Sequence, residues 1–277
     1  YINGKYWGLY NIREKVNRYF LNGHHEIDKD SVDLIEHRLS RKRGSRRHYV
    51  KLLRYLKEHD LSNPANYAHV ASQIEVDNFM DYQIAQIYLD NRDAGGNIKF
   101  WRPQTDQGRW RWILYDTDWG FGLHESDAYR YNTLEFHTNP NGPDWPNPPW
   151  STFILRKLLQ NAEFRAAFVN RFADRLNTSF DSQRVLDKLE QFYRMYKPEM
   201  PRHFDRWRLS ENRWEEHIDI MRDFARYRPE HMREHLTNYF RTGAAVPVGA
   251  SVSKGGKVII NHNLQVTAAE NFRGYYF

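Results

Sequence analysis

The chain has 277 residues, 40% of them hydrophobic and 16% aromatic, which is enough to bury a substantial core in one domain or two. Its net charge of +6 and pI near 9.3 raise nucleic acid as a partner, but no nucleic-acid-binding motif occurs in it. With no cysteine, disulfides and Cys–zinc sites are excluded, and no run approaches the ~18 consecutive apolar residues that a membrane-spanning helix needs.

The first 45 residues read as a small β-rich lobe. Asn3-Gly4 is a hairpin signal, a short helical turn falls near Asn17 to Leu21, and Ser31 to Arg38 patterns as a strand. The chain opens on Tyr1 inside an expected strand, with no Met and no signal peptide. It therefore reads as a fragment whose export signal and first strands lie upstream. The densest basic run, Arg38 to Arg47, reads as a solvated loop entering a helix near Arg46, or as a surface for an acidic protein or a nucleotide.

From residue 46 helices dominate. Val50, Leu52, Leu53 and Leu56 are spaced for one helix, and Ile74 to Leu89 for another, with Val76, Phe79, Met80, Ile84 and Ile87 on its buried stripe. Asp77, Asn78 and Asp81 suit the first turns of that helix as caps and dipole partners. The Pro- and Asn-rich segment Tyr129 to Pro149 reads as a long loop, either a lid or a packing element. Helices follow over Ser151 to Gln160, Glu163 to Asn177, Asp181 to Tyr196 and Trp214 to Phe240, with Ser179 and Asp181 as N-cap candidates. Gly243 to Gly256 reads as a linker and Lys257 to Val266 as a strand pair around Asn261 to Asn263. The whole is α+β: a partial β-rich lobe over 1–45, a mainly helical lobe over 46–240 carrying a central β-hairpin, and a linker with a truncated β-rich tail over 241–277.

That hairpin carries the chemistry. Ile98 to Arg102 and Arg109 to Tyr115 are rich in β-branched and aromatic residues, and Gln104 to Gly108 between them is polar and ends in Gly. Asp93 and Asn97 precede the first strand; Asp116 and Asp118 follow the second. A hairpin brings these ends together, and an extended run from Asp116 to Asp118 sends both carboxylates from one face, close enough to share a hard cation. Two carboxylates so close repel unless a cation lies between them. Magnesium takes one or two protein carboxylates and leaves its other positions to water and phosphate, so Asp93 is free to act on a substrate hydroxyl.

The stretch VDNFMDYQIAQIYLDNRDAGGNIKFWRP, then GRWRWILYDTDWGFG, resembles the spore-coat CotH family of atypical, secreted protein kinases, whose pattern runs N-x-D, a short loop with Asn, an aromatic strand, then D-x-D-x-x-x-G. The opening YINGKYWGLYNIREKVNRYFLN and the closing ARYRPEHMREHLTNYF are also similar to that family, so the likeness covers about residues 1–240. The resemblance implies an atypical protein-kinase-like fold, ATP with magnesium or manganese, and γ-phosphoryl transfer to Ser or Thr of an exported or bacterial cell-surface protein. It implies Asp93 as the catalytic-loop acid, Asn97 and Asp116 as metal ligands, and Asp118 as the second acid of the metal motif. The phosphate-pairing Lys of the family falls near Leu34-Ile35-Glu36, where this chain has an acid; Lys15 is then the candidate cation, with Glu14 beside it as a cofactor-site residue. There is no G-x-G-x-x-G loop, and the interval from Asp93 to Asn97 is one residue shorter than in ordinary kinases. These departures leave a noncatalytic, kinase-like surface or binding protein as the alternative. Trp119 and Phe121 are expected to pack beneath the metal loop, with Gly120 and Gly122 serving its turn.

A second motif, His231-Met-Arg-Glu234-His235, matches the H-x-x-E-H pattern of zinc proteases with both His on one helical face. It sits in a polar helix rich in Arg and reads better as a solvated helix face.

Overall fold

The computed structural model describes residues 1–253, 255–267 and 271–277. Its centre is a four-stranded antiparallel sheet of order β2-β1-β3-β4, formed by β1 (Val32–Glu36), β2 (Ser40–Arg43), β3 (Lys99–Pro103) and β4 (Arg111–Ile113). The expected aromatic hairpin is β3 and β4, paired Lys99 to Ile113, Phe100 to Trp112 and Trp101 to Arg111. It is not flanked by the early strand from a distance: β1 pairs directly with β3, placing Glu36 opposite Lys99. Strand β2 falls inside the basic run that was expected to be a loop. Its charged side chains stay exposed on the sheet edge, where they discourage further strand pairing.

Alternation along β3 sorts its side chains between two cores. Phe100, Trp110 and Trp112 face the helices, with Tyr49 of α2 (Arg47–Glu58) 4.4 Å from Phe100 and Phe79 of α4 (Val76–Tyr88) 4.6 Å from Trp112, ring centre to ring centre. On the other face Trp101 and Ile113 pack with Val32, Leu34 and Leu21, the last from α1 (Arg18–His25), which Asn17 caps. Asn78 splices α4 to the sheet: its amide receives the Trp112 N–H at 2.6 Å and donates to the Trp112 carbonyl at 3.1 Å. Asp77 lies in the first turn of α4 as expected and also holds Arg171, while Asp81 holds both Arg171 and Arg175.

The helical part adds α3 (Pro64–Ala71), α5 (Thr133–Thr138), α6 (Phe153–Leu158), α7 (Ala162–Leu176), α8 (Ser182–Tyr196), α9 (Met200–Trp207) and α10 (Glu211–Phe240). Asp181 caps α8 as expected. Helices α3 and α9 were not foreseen, and α5 lies within what was read as a long loop, started by the Asn132 side chain. The opening residues turn at Asn3-Gly4 and then lie along α9, where Leu9 N–H donates to His203 Nδ1 at 3.1 Å. Gly8 is needed there, because its φ is +121° and a Cβ would stand 2.6 Å from Trp207 Nε1.

The expected linker holds a strand, β5 (Val246–Ala250), paired with β8 (Phe272–Tyr276), while β6 (Lys257–Ile260) and β7 (Leu264–Thr267) form the foreseen hairpin. Strand β5 reads Val-Pro-Val-Gly-Ala with little burial, so its strand character comes from pairing with β8 rather than from a buried face.

Candidate active site

The buried end of α4 launches the first acidic loop. Asp90 takes a left-handed backbone (φ 54°) and is fully buried, its carboxylate accepting from the Thr133 hydroxyl at 2.6 Å and from Arg92 through Nε and Nη2. Thr133 in turn accepts from Arg228 of α10 at 2.9 Å. Arg228, also fully buried, donates to the carbonyls of Ile87, Tyr88, Tyr129 and Tyr131, so the end of α4 and the approach to α5 are held by one guanidinium.

Asn91 is the knot between the two ends of the hairpin. Its amide donates to Gln86 at 2.7 Å and to the Asp116 carbonyl at 3.4 Å, and its Oδ1 accepts the Asp93 N–H at 3.1 Å. The Asn91 carbonyl accepts from His137 Nε2 at 3.1 Å, and burial pushes the His137 pKa down to about 4, so the ring is neutral. Two backbone bonds complete the seam, Arg92 N–H to Trp119 O and Phe121 N–H to Leu89 O. Gly120 permits this approach, since a Cβ there would lie 2.3 Å from the Leu89 carbonyl oxygen.

Four predicted residues thereby share one region. Asp93 Oδ2 accepts from Asn97 Nδ2 at 2.8 Å, while its Oδ1 is buried and has no hydrogen-bond partner among the described residues. Burial and then the Asp116 carboxylate, with Asp118 contributing less, raise the Asp93 carboxyl above the usual range, against the lowering effect of Asn97. The extended run from Asp116 to Asp118 is not found. Asp116 adopts a left-handed backbone (φ 53°), because β4 ends at Ile113 and the chain must bend to meet Asn91. Its side chain is 39% exposed and lies 4.0 Å from Arg13; Asp118 is exposed. Among the described residues no three His, Cys, Asp or Glu side chains are grouped to hold a metal ion. The donor set still suits a hard divalent cation: all its ligating atoms are oxygens, and the orphaned Asp93 Oδ1 faces repulsion that a cation would relieve.

The remaining site expectations fall as follows. Phe121 packs on Phe224 at 4.6 Å, whereas Trp119 is 46% exposed and lies edge-on to His124. Lys15 is exposed, and Glu14 pairs with His24 at 2.8 Å. The loop of residues 139–149 leans on the acidic loop: Gly95 meets the Pro146 carbonyl and Gly96 approaches Trp145 Nε1, contacts that would clash or crowd with a Cβ. His231 pairs with Glu234, and its ring stands 6.5 Å from that of His235. Two largely apolar hollows of about 500 and 430 Å³ lie between α8 and α10, reaching Tyr10 and Phe121; neither is lined by an Asp or Glu, and neither includes Asp93, Asn97, Asp116 or Asp118.

Sequence reasoning missed Asp90, Asn91, Arg228 and His137. The Asn91 signal was present in the N-x-D pattern; the other three act through partners from distant segments.

The fold and site are those of an α+β protein with a cluster of acids where a hairpin's two ends are stitched together. A family model described as CotH kinase protein matches residues 1–232, and the chain belongs to the CotH family of kinase-like proteins. No curated protein and no solved structure matches it. Among the described residues no helix is long and apolar enough to cross a membrane.

Proposed function

We propose that this chain is a metal-dependent phosphotransferase that moves the γ-phosphoryl of ATP to a Ser or Thr hydroxyl of an exported or surface protein. The observation that carries this reading is Asp93: a carboxylate with one oxygen held by Asn97, the other buried and unpartnered, and a pKa raised beside Asp116 and Asp118. A raised pKa makes the carboxylate a stronger proton acceptor, and such positioned bases typically contribute on the order of 10²–10⁴ in rate. In the proposed step the acceptor hydroxyl oxygen bonds to the γ-phosphorus, the bond from that phosphorus to the β–γ bridging oxygen breaks, and ADP departs. The hydroxyl proton passes to Asp93 and then to solvent. Asn97, Asp116 and Asp118 would hold magnesium, whose contribution when bound is to neutralise charge on the phosphates. Asn91 keeps the two loops in register, so the base and the metal acids stay together.

A second reading, a noncatalytic binding scaffold, is favoured by one feature: Asp116 bends away from the extended geometry and faces Arg13. Incubation with γ-labelled ATP, magnesium and a Ser-rich acceptor, beside Asp116→Ala, separates the two. Label transferred by the parent and lost in the variant supports the phosphotransferase; no transfer by either supports the scaffold.

A further inference from the structure

We propose that Lys99 supplies the ammonium that binds the nucleotide phosphates, held in place by Glu36 of the neighbouring strand. The inference rests on the phosphotransferase reading and adds to it a phosphate-binding residue in a place where the sequence alone shows none. Glu36 and Lys99 are direct partners in the β1–β3 register, and Lys99 Nζ lies 3.1 Å from Glu36 Oε1 and 3.3 Å from the Val16 carbonyl. The Lys99 side chain is 11% exposed. Two fixed acceptors, the Glu36 carboxylate and the Val16 carbonyl, hold this ammonium in one place.

The charge count makes this pair more than structural. Glu36 is shared, because Lys42 of β2 also reaches it, at 2.5 Å. The trio Lys42, Glu36 and Lys99 therefore carries one excess positive charge, in contrast to a closed one-to-one ion pair. Phosphate oxygens, which accept charge-assisted hydrogen bonds, are suited to take up that excess.

Position supports the same assignment. Lys99 lies two residues after Asn97, and its Nζ stands 4.8 Å from the centre of the Tyr115 ring. Tyr115 directly precedes Asp116, one of the acids that would hold the metal. The Tyr115 ring thus links the Lys99–Glu36 pair, along the chain, to the acids that would hold the metal. Arg13, the other cation near Asp116, is 65% exposed, so solvent screens it. Lys15 is exposed on the segment before α1.

The test is calorimetric titration of the whole chain with MgATP, MgADP and adenosine. Lys99→Met is expected to weaken ATP by about 10- to 100-fold, as for loss of a hydrogen bond to a charged group, while adenosine affinity stays within a few-fold. Lys99→Arg is expected to retain most of the ATP affinity. Should the Met variant fail to fold by circular dichroism, Lys99→Gln, which keeps a donor toward Glu36, carries the same expectation. ATP affinity unchanged in Lys99→Met or Lys99→Gln, alongside loss of label transfer in Asp116→Ala, overturns the Lys99 assignment and leaves the phosphotransferase standing. A parent chain that binds neither ATP nor ADP overturns both.

Discussion

Asp93 and Asn97 are joined by a 2.8 Å hydrogen bond that satisfies only one oxygen of the carboxylate; the other is buried without a partner beside Asp116. This arrangement ties a functional cost to a structural one. Asp93→Asn is expected to lower turnover by about 10²–10⁴ while ATP affinity changes little. The same change should raise the melting temperature at neutral pH. A carboxyl whose pKa is raised on folding binds its proton more tightly in the native state, so its contribution to stability falls as pH rises through the raised value. The gain from Asn should therefore shrink as pH falls through the raised value and be gone below the ordinary carboxylate range. Melting curves of parent and variant from pH 3 to 8 check this, and a variant no more stable than the parent at pH 7 would remove the case for repulsion.

Arg228 makes five hydrogen bonds with no exposure to solvent, four to carbonyls and one to the Thr133 hydroxyl that also serves Asp90. Burial pushes its pKa down to about 10, so it remains charged at neutral pH. Arg228→Met keeps most of the apolar stem but leaves those acceptors unpartnered, and an expected loss of about 3–5 kcal/mol follows. Denaturant unfolding measures it. A loss under 1 kcal/mol would mean that water replaces the guanidinium and that Thr133 and Arg92 hold Asp90 without it.

The aromatic hairpin and α4 were legible because each repeats a short-range pattern, period two in β3 and three-to-four spacing in α4, that no distant contact overrides. Helix α3 carried a signal that was passed over, Asn63 before Pro64, an N-cap with proline in the first turn. Helix α5 was hidden by its Asn- and Pro-rich surroundings, and β5 by a composition that becomes a strand only beside β8. At the site, the convergence of Asp93, Asn97, Asp116 and Asp118 followed from the turn between two strands. The left-handed bend at Asp116 did not, since it depends on the bond from Asn91. Lys99 was equally hidden: its meaning comes from Glu36, which reaches it only through a strand pairing that local pattern cannot reveal.

His137 should make the protein sensitive to mild acid. Its folded pKa of about 4 lies below the ordinary 6.5, so the unfolded chain takes up the proton first, and stability present above about pH 6.5 is lost as pH falls toward 4. The slope is about 1.4 kcal/mol per pH unit for one such group. His235, also pushed to about 4 by burial and by Arg228, acts with the same sign. His137→Gln, which preserves a donor for the Asn91 carbonyl, is expected to flatten the loss between pH 6.5 and 5, where few carboxylates titrate. An unchanged slope in chemical unfolding over that interval would show that His137 is already accommodated as the cation.

The Asp174 carboxylate fastens the C-terminal strands to α7. Asp174 is 1% exposed and accepts from the Tyr276 hydroxyl at 2.7 Å, Asn261 at 3.0 Å and Asn263 at 3.1 Å, so it joins the β6–β7 hairpin and β8 to the helix. Asn177, one turn on, exchanges two further bonds with the Tyr275 backbone, Nδ2 to O and N–H to Oδ1, both at 3.0 Å. Asp174→Ala removes the shared acceptor but not the Asn177 pair, so the tail should loosen without detaching. Amide exchange in β5 and β8 is expected to speed up by about 10-fold or more, equivalent to roughly 1.4 kcal/mol of local stability, while β3 and β4 amides keep their protection. Equal acceleration in both sheets would show that Asp174 supports the whole helical core instead of the tail. Unchanged exchange throughout would assign the docking to Asn177 alone.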